Sequence, residues 1–174
     1  MPTEQVVAGS IPAGRIFIIV IKKHIEFMRQ AIREAQAAFE EDEVPVGAVI
    51  VHDGRIIARA HNQVERLKDP TAHAEMLALT SATNCLGTKW LNEASIYVTI
   101  EPCSLCAGAL VLARVKSLYF GAQDPKTGAC GSVLDIPRNK KLNHRLKVEG
   151  GILDKECGSL LSDFFKAKRK SRIF

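Results

Sequence analysis

The 174-residue chain holds no apolar run approaching the ~20 residues that a membrane-spanning helix requires, so no membrane partner is expected. It also lacks a convincing export signal. The run Ile16 to Ile21 is too short for a signal-peptide core, and Lys22 and Lys23 close it without a small-residue cleavage site. Nor is there an even, regularly spaced set of cysteines. Five of them, at 85, 103, 106, 130 and 157, give an odd count with one tight pair, a poor fit to a disulfide framework and a better fit to a metal site in a reducing compartment. A cytoplasmic location follows as the default expectation. Internal repeats and low-complexity tracts are missing too, which excludes repeat architectures and biased linkers.

What is present suits one ordinary domain. Hydrophobic residues make up 47% of the chain, enough for a single sizeable core. Twenty-four basic side chains face 19 acidic ones, a net charge of +5 that favours a polyanionic partner through counterion release without demonstrating one. Lys166, Lys168, Arg169, Lys170 and Arg172 crowd the C-terminal end; alone, such a run is more often a solvated helix end than a binding surface.

Residues 1–22, with Gly9, Pro12 and Gly14 and no periodicity before Ile16, read as an N-terminal extension outside the fold, leaving residues 23–174 as the domain. From His24 onward Ile25, Met28, Ile32, Ala35 and Phe39 recur at steps of three and four and mark the apolar face of a helix. Val46 to Val51 and Arg55 to Ala60 read as a hairpin turned by Asp53-Gly54, a pair that accepts positive φ. Further expected elements are a helix from about Ala72 to Thr83, a strand Ser95 to Ile100, a helix Ser104 to Arg114, a strand Ser117 to Phe120, a short strand around Leu146 and Val148, and a C-terminal helix burying Cys157, Leu160, Leu161 and Phe164. This alternation predicts an α/β fold: a three-layer α/β/α sandwich on a five-stranded mixed sheet, antiparallel at its start and largely parallel afterwards.

The chemistry concentrates in two short segments, Thr71-Ala72-His73-Ala74-Glu75 and Pro102-Cys103-Ser104-Leu105-Cys106. Cys103 and Cys106, at i and i+3, project from one side of a first helical turn, where the positive helix end favours thiolates. His73 also stands at an expected helix start. If the two helix ends face each other, one imidazole and two thiolates bind Zn²⁺ with a fourth position open, which is a catalytic rather than a structural donor set. Glu75 is then the candidate base and acid, taking a proton from a zinc-activated water and delivering one to a departing amine. Either motif alone has a bland reading: Cys-x-x-Cys serves redox or structural sites as readily, and His-x-Glu is mostly chance. Together they are far more specific, because a structural site has no use for Glu75.

Three stretches carry a family resemblance: Asp42-Glu43-Val44-Pro45-Val46-Gly47-Ala48-Val49, Asp69-Pro70-Thr71-Ala72-His73-Ala74-Glu75, and Glu101-Pro102-Cys103-Ser104-Leu105-Cys106-Ala107-Gly108-Ala109. They closely resemble bacterial tRNA adenosine deaminases, within the cytidine deaminase-like superfamily. The likeness runs from about His24 to Lys168 and includes Asp124-Pro125-Lys126-Thr127-Gly128, Asn143-His144-Arg145 and Ser162-Asp163-Phe164-Phe165. The zinc motif is common to cytidine, guanine and pyrimidine-precursor deaminases, whereas the Asp-Pro-Lys-Thr-Gly segment and the Phe-Phe end with its basic tail resemble the tRNA enzymes in particular.

The resemblance implies hydrolytic deamination of adenosine to inosine at the wobble position of a tRNA anticodon, in an arginine isoacceptor, by attack on C6 of a flipped adenine. It further implies one Zn²⁺ per subunit held by His73, Cys103 and Cys106, Glu75 as the catalytic residue, an anticodon stem-loop as partner, and a homodimer. Asn62, Asp124, Lys126, Asn143 and Phe165 would touch the anticodon nucleotides, with Phe165 offering a stacking face. Their ordinary readings are a loop hydrogen bonder for Asn62, a solvated charge for Lys126 and a core residue for Phe165. His24, His52, His61 and His144 are expected at the surface or in loops, and Cys85, Cys130 and Cys157 as small buried residues. Two alternatives stay open: a free-base or nucleoside deaminase of guanine or cytosine type, and a non-catalytic zinc-containing tRNA-binding module.

Overall fold

A computed structural model describes residues 13–171; residues 1–12 of the expected extension and Arg172 of the basic run lie outside the described residues. The elements in chain order are α1 (Ala13–Glu40), β1 (Gly47–His52), β2 (Arg55–His61), α2 (Val64–Leu67), α3 (Ala74–Leu86), β3 (Ser95–Ile100), α4 (Ser104–Leu112), β4 (Ser117–Ala122), β5 (Lys147–Glu149) and α5 (Asp154–Ser171). The strands form one sheet in the order β2-β1-β3-β4-β5. β1 runs antiparallel to β2 and β3, while β3, β4 and β5 are mutually parallel, so the mixed five-stranded sheet is as expected. The hairpin turns through Asp53 at φ 49° and Gly54 at φ 71°, the two positive values a tight two-residue loop needs.

Alternation along the strands explains the layers, because neighbouring residues point to opposite faces. Ala48, Ile50, Ile96, Val98, Leu118 and Phe120 pack with Ala74 and Ala78 of α3 and with Ala107 and Leu110 of α4. Their neighbours Val49, Val51, Tyr97 and Tyr119 pack instead with Met28 and Ala31 of α1 and Cys157 of α5. Two cores on two faces make an α/β/α sandwich. Each fully buried Leu, Ile or Val in it contributes about 1.5–3 kcal/mol. Among the described residues no helix is long and apolar enough to cross a membrane.

Several boundaries differ from the sequence reading, each for a local reason. Helix α1 begins at Ala13, well ahead of the start expected at His24. Ile18, Val20 and Ile21 are exposed there, and the run Ile16 to Ile21 is apolar throughout, so it carries none of the three-and-four spacing that served as the signal. α4 stops at Leu112 because Arg114 turns to φ 55°. His24 is no simple surface residue: its Nδ1 lies 2.8 Å from the Tyr97 hydroxyl and its ring centroid lies 4.3 Å from that of Tyr119, the two planes tilted by 36°. Cys85 is exposed rather than buried, whereas Cys130 and Cys157 are buried as expected.

Candidate metal centre

His73 and Cys103 occupy equivalent positions, each as the N-cap of its helix. His73 (φ −72°, ψ 152°) precedes α3 and Cys103 (φ −72°, ψ 177°) precedes α4, both extended and neither using its side chain as a cap. Their backbone carbonyls start the helices instead, accepting from Leu77 and Ala107. Both side chains are thus released toward the carboxyl ends of β3 and β4, the edge at which open α/β sheets place their sites.

There His73 Nδ1 stands 3.6 Å from Cys103 Sγ and 3.4 Å from Cys106 Sγ. All three donor atoms lie within 4.8 Å of one another. A tetrahedral zinc with Zn–N near 2.1 Å and Zn–S near 2.3 Å sets its nitrogen and sulfur ligands about 3.6 Å apart, so the donors fit such an ion in spacing as well as in type. The electrostatics agree with the geometry. Hydrogen bonds from the Cys106 thiol and then from His73 pull the Cys103 thiol down to about 4, against the opposing effect of burial. Cys106, which gives its proton to that contact and is itself buried, is pushed up. His73 is raised, chiefly by its hydrogen bond with Cys103. The three groups already share protons where a cation would replace them.

Glu75, the second residue of α3, is only 4% exposed. Burial pushes its carboxyl above the usual carboxylate range. It opens on the same cavity of about 330 Å³ as His73 and Cys103, which is possible because His73 is a cap rather than a helical residue and both groups meet over the helix end.

The other residues singled out by sequence divide into three groups. Asn62 and Asp124 line this cavity, together with Glu43, Val46, Ile100 and Thr127. Lys126 is exposed beside it on the same loop, its amide donating to Asp124 Oδ1 at 2.9 Å. Phe165, 43% exposed, lies in an adjoining groove of about 1100 Å³ that shares Glu43, Val44 and Glu65 with the cavity and carries Arg66, Lys68, Lys168 and Arg169. Phe164 takes the core role instead, its ring edge-on to Phe39 at 5.5 Å. Asn143 is not brought to the cavity; it lines a separate depression with Arg138, Lys140, His144, Arg145 and Lys147.

Two carboxylates organise the loop after β4. Asp124 accepts from the amides of Lys126 and Thr127 and from the Thr127 hydroxyl, and these bonds hold its carboxyl low although burial alone would raise it. Glu101 is 3% exposed and was given no role by sequence. Its oxygens accept from the amides of Asp124 (3.1 Å), Cys130 (2.9 Å) and Ser132 (3.0 Å) and from the Ser132 hydroxyl. Burial would raise its pKa too, yet the Ser132, Asp124 and Cys130 donors hold it low. Gly128 is required by this packing, because a Cβ there would collide with the Glu101 carboxylate and the Asp124 carbonyl. Glu101 and Gly128 thus pin the loop that forms one wall of the cavity.

Comparison with known proteins supports this chemistry. Residues 22–169 match the MafB19-like deaminase family. The chain is 49% identical over 146 residues to the tRNA-specific adenosine deaminase of Bacillus subtilis, covering 84% of this chain and 91% of that one. It is 52% identical over 147 residues to the protein of that name in Aquifex aeolicus, covering 84% and 97%. Among solved structures, one from a study of A-to-I editing by tRNA:A34 deaminases at the wobble position of transfer RNA superposes with a TM-score of 0.75 at 44% identity, over 78% of this chain and 98% of that one. A guanine deaminase from Bacillus subtilis superposes less completely, with a TM-score of 0.55 at 39% identity over 57% of this chain and 64% of that one.

Proposed function

Since the chain belongs to the MafB19-like deaminase family, in the branch of the tRNA-specific adenosine deaminases, we propose that it hydrolyses adenosine to inosine at the wobble position of a tRNA anticodon. The observation that carries this reading is the meeting of His73, Cys103 and Cys106 at one end of a cavity that His73 and Cys103 line together with the buried carboxylate of Glu75, on a chain about half identical to tRNA deaminases along most of its length.

His73, Cys103 and Cys106 would hold the zinc. When bound, the metal supplies Lewis acidity that brings the pKa of a water molecule toward neutrality. Glu75 handles the protons: its carboxylate accepts one from the attacking water and passes it to a ring nitrogen of the adenine, then accepts the second from the hydroxyl oxygen added at C6 and delivers it to the amine as the C6–N bond breaks and ammonia leaves. Water and adenosine become inosine and ammonia, with Glu75 returned to its starting state. A cavity of about 330 Å³ admits a single base, so the adenine enters flipped out of the anticodon loop, at a cost of only a few kcal/mol for an already single-stranded nucleotide.

Asn62 and Asp124 contact the nucleotide in the cavity. Phe165 offers a stacking face in the groove, with Lys168 and Arg169 near the RNA backbone. Lys126 and Asn143 serve as outer contacts for flanking nucleotides. By the same reading the substrate is the anticodon stem-loop of an arginine tRNA, the enzyme is a cytoplasmic homodimer with one zinc per subunit, and residues 1–22 extend from a deaminase domain of 23–174.

The likeness to guanine deaminase favours a second reading, action on a free base, and one assay separates the two. Purified protein is incubated with an anticodon stem-loop carrying wobble adenosine and, separately, with guanine, cytosine and adenosine. Inosine in the digested RNA and no ammonia from the free compounds is the expected result; ammonia from a free base with unchanged RNA would overturn the proposal.

A further inference from the structure

We infer that Glu43 is a positioning residue, which fixes the orientation of the Asn62 amide and the placement of α2 at the mouth of the cavity. The inference rests on the proposed reading, in which Asn62 meets the substrate base.

Glu43 sits in the connection between α1 and β1 and is 1% exposed. A carboxylate removed from water requires donors in return. Those it finds all come from one short stretch: Arg66 N to Oε1 at 2.6 Å, Glu65 N to Oε2 at 3.1 Å, and Asn62 Nδ2 to Oε2 at 3.1 Å. It is absent from the metal donor cluster, and its partners are amide N–H groups, which do not give up protons, so it plays no acid–base part.

Helix α2 needs this partner. It has four residues, buries none of them, and its N-cap Gln63 makes no side-chain capping bond. A single turn of that kind does not hold itself together. Glu65 and Arg66 are its second and third residues, whose amides a local cap would ordinarily satisfy. Glu43 caps them from a remote part of the chain, and Glu65 and Arg66 line the groove that leads to the cavity.

The contact with Asn62 has a sharper consequence. A carboxylate only accepts hydrogen bonds, so the NH₂ side of the Asn62 amide must face Glu43 and the flipped orientation is excluded. Asn62 is itself buried and lines the cavity. The hydrogen-bonding pattern it presents to a base is therefore set by Glu43.

The test uses Glu43→Gln and Glu43→Ala, each in wild-type and Asn62→Ala backgrounds, with zinc content, thermal midpoint, and kcat and KM on an anticodon stem-loop. In Glu43→Gln the single amide oxygen stays with the shortest contact, Arg66 N at the Oε1 position, so the NH₂ group takes the Oε2 position, where it leaves the Glu65 amide without its acceptor, meets the NH₂ of Asn62 and forces that amide to flip. Its zinc content should match wild type and its melting temperature should fall only slightly, for the one α2 amide left without its acceptor, while kcat/KM falls about tenfold or more. In the Asn62→Ala background the same substitution should change kcat/KM by less than about twofold, the non-additivity expected of residues acting through one contact. A substrate-free readout accompanies these: the Asn62 side-chain NH₂ should exchange slowly with solvent in wild type and faster in Glu43→Ala. Wild-type kcat/KM in Glu43→Gln, or an equal loss in both Asn62 backgrounds, would overturn the inference. If Glu43→Ala fails to fold, Glu43→Gln decides alone. Absence of inosine from the wild-type control would instead defeat the reading of the substrate, and the NH₂ exchange rate would still report on Glu43.

Discussion

Replacing Glu75 by glutamine separates catalysis from metal binding. The side chain is nearly isosteric and only 4% exposed, so bulk water has little opportunity to take over the lost carboxylate. It is not among the three metal donors, so zinc should remain at wild-type stoichiometry. Nor should the fold suffer, because a neutral amide is easier to bury than a carboxylate, and the melting temperature should hold or rise. What disappears is the proton shuttle. General acid–base participation is worth about 10²–10⁴ in rate, and since Glu75 moves protons both to the ring and to the leaving amine, the loss should lie toward the upper end, about 10³ or more. That is about 4 kcal/mol or more of transition-state stabilisation. The assay is single-turnover inosine formation on an anticodon stem-loop with enzyme in excess, followed by mass spectrometry of the digested nucleosides, with metal measured on the same sample. A rate within tenfold of wild type in zinc-replete Glu75→Gln would refute the assignment of the shuttle to this residue.

Other outcomes follow from the same structure. Leu110→Ala, at a fully buried position in the core beneath α4, should destabilise by about 2–5 kcal/mol in urea unfolding; a loss below 1 kcal/mol would mean that the site is loosely packed. His24 has its pKa lowered, chiefly by burial, so it contributes stability that is complete above the unfolded value of about 6.5 and is lost as pH falls from there through its folded pKa. His24→Gln should therefore show a shallower fall in melting temperature between pH 7.5 and 5 than wild type; parallel curves would contradict this. If Lys168 and Arg169 neutralise RNA phosphates, replacing both by alanine should flatten the slope of log affinity against log salt by about 1.4 in fluorescence anisotropy, and an unchanged slope would remove the groove from the RNA path.

The metal site was legible in the sequence because its donors are short-range signals, His-x-Glu and Cys-x-x-Cys, each at a helix start, and only their meeting needed the fold. The sheet was legible for a similar reason: the short apolar runs of β1, β3 and β4 and the Asp53-Gly54 turn are local. Glu43 was not, although its motif was conspicuous, because its partners Asn62, Glu65 and Arg66 lie in another segment and α2 has no apolar face to announce it. Glu101 escaped for the same reason, since its role is visible only once the loop from Asp124 to Ser132 wraps around it. The early start of α1 carries no hydrophobic period, because residues 16–21 are apolar without interruption. Phe164 and Phe165 are adjacent and chemically identical, but the helical period already put Phe164 on the buried face, and it is 5% exposed against 43% for Phe165.

X-ray absorption at the zinc edge of the purified protein, with the metal counted per chain, addresses the three-donor site directly. One zinc per chain with two sulfurs at about 2.3 Å and two nitrogen or oxygen neighbours at about 2.0–2.1 Å is the expected result, with the nitrogen or oxygen shell reduced in His73→Ala. A shell of four sulfurs, or a spectrum that His73→Ala leaves unchanged, would contradict it.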